Sequence, residues 1–314
     1  MKKFLFSTMV ALSAVFTVTA CKDDDEQIKN IVELAQSDAN LSILVEAVVY
    51  ADLAATLSGT TEYTVFAPTN AAFTSLLQTL GVSKITDVDK ATVKAILLNH
   101  VVAGEVKSGA ITTGYVKSAS PFGATTSTLS LYITKTTAGV TINKDVNVTT
   151  ADVDASNGVV HVVDKVIALP TVVNHALNNP NFSTLVAALT RADLGVDYVT
   201  LLSGTGPFTV FAPTNDAFTA LLTELGAANL AAIDAATLNK VLQYHVVSGA
   251  NVLAGSLTEG QQPTTYQGGK FTIGLSGGAK ITDLNNRVSK IIITDVQGTN
   301  GVVHAIDKVL LPTL

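Results

Sequence analysis

Tryptophan is absent from this chain of 314 residues, cysteine occurs once, and only 14% of the residues are charged. Each shortage removes a class of explanation. A single cysteine closes no disulfide within the chain and builds no cysteine-rich metal site. The formal net charge is −6 and no cluster of Lys and Arg interrupts it, so the positive surface that a phosphate backbone needs is missing and no nucleic-acid partner is expected. Without tryptophan, and with 6% aromatic residues, the chain has little from which to build a stacking platform for sugars. Tyr63, Tyr115 and Tyr266 are the tyrosines expected at the surface. What is abundant is apolar: 47% of the residues are hydrophobic, which argues against disorder. The length suffices for two domains of ordinary size, each with its own core.

The lone cysteine sits where a processing signal would put it. Lys2 and Lys3 precede an apolar run over residues 4–20, and the tetrad Val18-Thr19-Ala20-Cys21 closes it. A short basic start, an apolar stretch and small residues before the cut describe an export signal rather than a transmembrane helix. The tetrad resembles the lipobox of bacterial lipoproteins. That resemblance implies a signal peptide over residues 1–20 and lipid attachment at Cys21, the mature N-terminus. Residues 21–26 then form an acidic tether, Cys21-Lys22-Asp23-Asp24-Asp25-Glu26. Consecutive carboxylates lack the spaced ligands of a calcium loop, so the run reads as a solvated spacer. It also resembles the signal that sends some Gram-negative lipoproteins to the cell surface.

A repeat organises everything after residue 26. TVFAPTN occurs at 64–70 and again at 209–215, and the longer stretches 64–81 and 209–226 agree at 14 of 18 positions. NHVV at 99–102 answers YHVV at 244–247, and GVVHVVDKV at 158–166 answers GVVHAIDKV at 301–309. The copies span 27–170 and 171–314. Each is too long for a solenoid repeat and about right for an independent domain.

Within a copy the local patterns predict a mixed fold. Leu41, Leu44, Val45 and Val48 have helical spacing. Thr64-Val65-Phe66 reads as a short strand stopped by Pro68. Thr69 or Asn70 can cap the helix that follows, whose apolar face is Phe73, Leu76, Leu77 and Leu80 and whose end is Gly81. Another helix is expected from Asp89 to Asn99. Segments of β alternation come next, and the turn pair Asn157-Gly158 introduces a last strand over 159–166. Helices first and strands later imply an α+β domain with an antiparallel sheet. Every residue of TVFAPTN then has a structural duty, so the motif marks a corner of the fold rather than an active site.

TVFAPTN-x-AF, a mid-domain histidine after a helix, and a closing NGVVHVVDKV followed by Leu-Pro resemble the fasciclin (FAS1) domain in order and spacing. The resemblance covers roughly 27–314. It implies two tandem domains, each a β-sheet wedge with a helical layer, in a secreted or surface-bound protein linked to adhesion. The implied partners are an extracellular or cell-envelope protein or polysaccharide, with the outer membrane engaged through the lipid anchor. In that family a mid-domain Tyr-His pair is a proposed adhesion determinant. It falls on Tyr244-His245 in copy two, whereas copy one departs from it with Asn99-His100. These four are the candidate partner-binding residues.

The histidines also admit a plainer role. His100 follows Val93, Ile96 and Leu97 on one helix face, and His245 follows Leu238, Val241 and Leu242, which predicts an inward ring bonded to neighbouring backbone. His161 and His304 sit among valines in a strand, with the same expectation. A metal shared by the two histidines of a domain would need a third ligand. Asp164 and Asp307, three residues beyond the strand histidine, point to the opposite face, so no metal is expected. His175 aligns with Leu34 of copy one and reads as a surface substitution. No G-x-S-x-G elbow, H-E-x-x-H, P-loop or dinucleotide fingerprint is present, and neither an enzyme nor a cofactor is expected. The alternative function is a scavenging surface lipoprotein that binds a carbohydrate or a small apolar ligand in a groove between helix and sheet.

Overall fold

The repeated corner forms as its composition requires. In the computed structural model, residues 28–313 are described. The leader, Cys21 and the whole acidic tether lie outside them, as do all residues up to 27. The first copy runs α1 (Ile31–Ser37), α2 (Ser42–Tyr50), α3 (Ala54–Leu57), β1 (Tyr63–Pro68), α4 (Asn70–Leu80), α5 (Lys90–Asn99) and β2 (Val101–Ala103). It continues through β3 (Gly114–Pro121), β4 (Thr128–Thr136), β5 (Gly139–Ile142), β6 (Val146–Ala155) and β7 (Gly158–Val163). The second runs α6 (Val172–Asn178), α7 (Ser183–Leu189), α8 (Tyr198–Ser203), β8 (Phe208–Pro213), α9 (Asn215–Leu225), α10 (Ala235–Tyr244) and β9 (Val246–Ser248). Its remaining strands are β10 (Thr272–Gly274), β11 (Lys280–Thr282), β12 (Val288–Gly298) and β13 (Gly301–Ile306).

Each copy folds around its own sheet, in the order β2-β1-β7-β6-β5-β4-β3 for the first and β10-β11-β12-β13-β8-β9 for the second. The sheets are mixed, which corrects the expectation of a purely antiparallel one. β1 lies parallel to β7, and β8 parallel to β13, while their other neighbours are antiparallel. The long excursion through helices and hairpins lets the chain return in the same direction. The closing strand is also shorter than its sequence pattern, since β7 ends at Val163.

Two apolar layers flank each sheet. In the first copy the helices pack Leu44, Val48, Phe73 and Leu97 against Val65 and Val160. The curled far end of the sheet encloses Phe66, Leu131, Ile133 and Ile142. The second copy repeats both layers, with Phe218 and Leu242 on the helix side and Phe211, Phe271 and Ile281 on the other. Phe66 and Phe211 are each 1% exposed, and burying such a ring contributes about 1.5–3 kcal/mol.

Capping separates the two candidates at the corner. Thr69 Oγ1 accepts from Ala72 N, and Thr214 Oγ1 from Ala217 N, so threonine is the cap in both copies. Asn70 instead reaches back to the start of α2. Its Oδ1 accepts from Ile43 N at 2.9 Å and its Nδ2 donates to Ala39 O at 2.9 Å. Asn215 repeats this with Thr184 N and Pro180 O. Leu80 and Leu225, expected on the apolar face, are each 49% exposed, because the last helical turn overhangs the core.

The closing Asn-Gly pair has an equally physical reason. Asn157 Oδ1 accepts from Ile31 N while its Nδ2 donates to Leu57 O and Gly59 O. Asn300 does the same for Val172 N, Leu202 O and Gly204 O. Gly158 has φ +137° and a side chain there would meet Tyr63 O at 1.9 Å. Only glycine lets the strands approach so closely.

Candidate functional site

Asn99-His100 and Tyr244-His245 lie where α5 and α10 end, immediately before β2 and β9. Helical spacing carries each histidine onto the inner face, as its apolar predecessors imply. His100 Nδ1 bonds Ile96 O at 2.7 Å, and Nε2 accepts from Ile167 N at 2.8 Å. His245 Nδ1 bonds Val241 O at 2.7 Å, and Nε2 accepts from Leu310 N at 2.9 Å. An Nε2 that accepts leaves the proton on Nδ1, so both rings are neutral with a fixed tautomer. Burial pushes both down to about 4, only partly countered by the carbonyl each one faces. Each ring ties the end of a helix to the segment after the closing strand.

The residues before them differ. Asn99 is fully buried. Its Nδ2 donates to Ala168 O at 3.2 Å and its Oδ1 accepts from Ser118 Oγ on β3 at 3.1 Å. Tyr244 is also fully buried, its ring edge-on to Phe271 with centroids 6.0 Å apart and its hydroxyl donating to Lys270 O at 2.7 Å. Direct contact with a partner requires exposure, and all four side chains face inward. The physical reason is the same in both copies: the helix end is overlaid by β3 in one and by the segment around Phe271 in the other.

The strand histidines are equally committed. His161 Nδ1 accepts from Asp152 N, and its Nε2 lies 3.0 Å from Val106 O. His304 pairs in the same way with Asp295 N and Val252 O, and burial lowers its pKa. Asp164 and Asp307 turn to backbone nitrogens at Asn147 and Lys290. Among the described residues no group of three His, Cys, Asp or Glu converges as metal ligands.

The junction between the two copies rests on contacts that local patterns do not show. His175 is buried, contrary to its reading as a surface substitution, because its ring lies between Gln297 on β12 of its own domain and Tyr115 on β3 of the first. Its Nε2 bonds Gln297 O at 3.0 Å, and Nδ1 has no partner. Burial is the main cause that pushes this ring, too, down to about 4. Tyr115, one of the tyrosines expected at the surface, packs edge-on to His175 and joins the apolar core of the second copy. Its hydroxyl donates to His175 O at 3.1 Å and accepts from Asn179 Nδ2 at 3.3 Å, and burial raises its pKa. Gln297 N donates to Ser130 Oγ at 3.0 Å, and Lys117 Nζ donates to Asp295 O. Tyr63 is half-buried in β1, while Tyr266 stays 47% exposed. A signal did exist in the sequence: a histidine at a position where the other copy has leucine.

Comparison with known proteins agrees with this architecture. Residues 39–170 and 180–312 each match the family described as Fasciclin domain. The chain is 42% identical over 146 residues to protein sll1483 of Synechocystis, covering 46% of this chain and 74% of that one. It is 31% identical over 267 residues to the transforming growth factor-beta-induced protein ig-h3 of Sus scrofa, covering 82% of this chain. The matched region spans only 35% of the length of that relative. A solved structure, a FAS1 domain pair from the insect cell adhesion molecule Fasciclin I, covers 89% of this chain and 95% of its own. It superposes with a TM-score of 0.50 at 18% identity, a likeness of fold alone.

Proposed function

This chain belongs to the fasciclin family, and from that premise we propose that it is a non-catalytic adhesion protein held on the outer surface of a cell. Its two domains, 27–170 and 171–314, bind an extracellular or cell-envelope protein or polysaccharide. Cys21 carries the lipid, and the acidic tether sets the domains off the outer membrane. The observation that carries this reading is the buried junction, in which Tyr115 of one domain completes the core of the other. Two related surfaces are thereby fixed at one distance, and a lipid anchor gathers many such pairs on one surface. Avidity of that kind exceeds single-site affinity by about 10²–10⁴ without a new contact. The buried histidines support the non-catalytic part, because each one is spent on backbone partners.

Tyr244-His245 and Asn99-His100 act in this proposal by shaping the backbone above them rather than by touching a partner. The exposed surface nearest Tyr244, which includes Tyr266, is the face assigned to the second domain's contact.

The test compares binding of the soluble chain and of the same chain displayed densely on vesicles to isolated cell-envelope fractions. Tighter retention on the displayed form is expected, and equal retention overturns the avidity argument. A fatty-acid probe should label the wild type and not Cys21→Ser. Equal labelling of both removes the anchor.

A further inference from the structure

The two domains part at the turn that precedes their long penultimate strand. In the second, the turn between β11 and β12 latches the closing segment of its own domain. Asn285 Nδ2 donates to Leu311 O and Pro312 O, each at 3.1 Å, Arg287 Nη1 donates to Val309 O, and Asp283 accepts from Leu311 N. In the first, the turn between β5 and β6 is shorter and reaches the closing segment through the exposed Lys165–Asp145 pair rather than through backbone bonds. It leaves a crevice of about 280 Å³ against the connection to the second domain, lined by Asn143, Lys144, Asp145, Pro170, Asn174 and Asn178 among others.

Three amides from two domains face one crevice with capacity to spare. Asn143 Oδ1 accepts from Tyr132 N at 2.9 Å, and its Nδ2 bonds nothing among the described residues. Asn174 Oδ1 accepts from Thr171 N and Oγ1, each at 2.8 Å, and its Nδ2 is likewise unused. Asn178 is half-buried with both ends of its amide unused. The free Nδ2 of Asn143, a side chain only 8% exposed, opens onto the crevice together with the amides of half-buried Asn174 and Asn178, beside Val166, Ala168 and Leu169. Backbone geometry adds a second departure. Asn143 and Lys144 have φ of 48° and 73°, a left-handed pair for which Asn-Gly is the favoured sequence. A lysine held where glycine costs less is an outlier of the kind found at ligand clamps.

We propose that this crevice binds a saccharide of one or two hexose or N-acetylhexosamine units, held by both domains at once. Amides donate and accept in a plane, which matches neighbouring sugar hydroxyls. The Asp145 carboxylate, 3.3 Å from Lys165 Nζ, supplies a further acceptor, and Lys144 a further donor. Lys144, Lys165 and Asp145 leave a single net positive charge, too little to favour a phosphate or a nucleotide over a neutral ligand. Val166, Ala168 and Leu169 give the apolar contact for one face of the ring. Because the walls come from both domains, an occupied site also stiffens the junction. The inference is independent of the lipid anchor and of Tyr244-His245, so it stands or falls separately from the adhesion reading.

The experiment titrates the chain from residue 28 onward with glucose, galactose, mannose, N-acetylglucosamine and cellobiose, followed by amide chemical shifts. At least one sugar should bind with Kd no weaker than about 10 mM, with shifts confined to residues 143–146, 166–170 and 174–178. Asn178→Leu removes an amide that supports no other contact, and it should weaken binding about tenfold at an unchanged Tm. Lys144→Gly should weaken it while leaving the turn intact. Absence of any shift at about 10 mM of every sugar overturns the ligand class. Equal affinity of the parent and Asn178→Leu overturns the location. Retention of cell-envelope partners by Asn178→Leu shows that adhesion does not depend on this site.

Discussion

The two domains share a frame and differ in what lies over it. His100 and His245 make the same pair of bonds to a helix carbonyl and to a closing-segment nitrogen. Asn157 and Asn300 clamp the same three backbone groups. The neighbouring positions diverge: Asn99 hydrogen-bonds to β3 where Tyr244 fills an aromatic pocket, and Leu34 is half-buried where His175 is sealed by the other domain. The shared motifs therefore build the scaffold. The copies differ in the residues laid over that scaffold.

The sharpest way to break that comparison is to truncate its aromatic anchors. Phe66→Ala and Phe211→Ala should each cost about 3–5 kcal/mol, equally in the two domains. Tyr244→Ala should cost a similar amount, about 3–5 kcal/mol, whereas Asn99→Ala should cost only about 1–3 kcal/mol for its lost bonds. Domain-resolved hydrogen exchange on the full chain measures each effect where it occurs. A Tyr244→Ala variant as protected as the parent would remove Tyr244 from the core and restore it as a direct contact.

Acid should loosen both domains and their junction. His100, His175 and His245 titrate at about 4 when folded and near 6.5 when unfolded. Between these values the unfolded chain binds more protons, so stability present above about pH 6.5 falls as the pH drops toward 4. A shift of this size amounts to about 3 kcal/mol per histidine. His175→Leu, which restores the residue of the other copy, should remove the junction's share of the slope without altering that of His100. An identical pH profile for the parent and His175→Leu would show that the junction histidine does not contribute.

The smallest effect sharpens the reading of TVFAPTN. Asn70→Ala and Asn215→Ala each remove bonds to a preceding helix, and both should cost about 1–3 kcal/mol. Thr69→Ala should cost about 1 kcal/mol as a lost cap. Denaturant unfolding followed separately in each domain ranks them. A cost for Thr69→Ala larger than for Asn70→Ala would reverse the assigned roles.

By itself the sequence determined the duplication, the α+β class, the inward turn of His100, His161, His245 and His304, and the structural character of TVFAPTN. These rest on periodicity, caps and turn chemistry, which act over a few residues and leave a trace in the order of side chains. Tertiary structure alone decided the parallel pairing of β1 with β7, the burial of Tyr244 under the Phe271 segment, the sealing of His175 and the unused amides of Asn143, Asn174 and Asn178. Each of those depends on a partner tens of residues away or in the other domain. A local pattern records that a side chain is polar or apolar, but what finally covers it is fixed only when distant segments pack together.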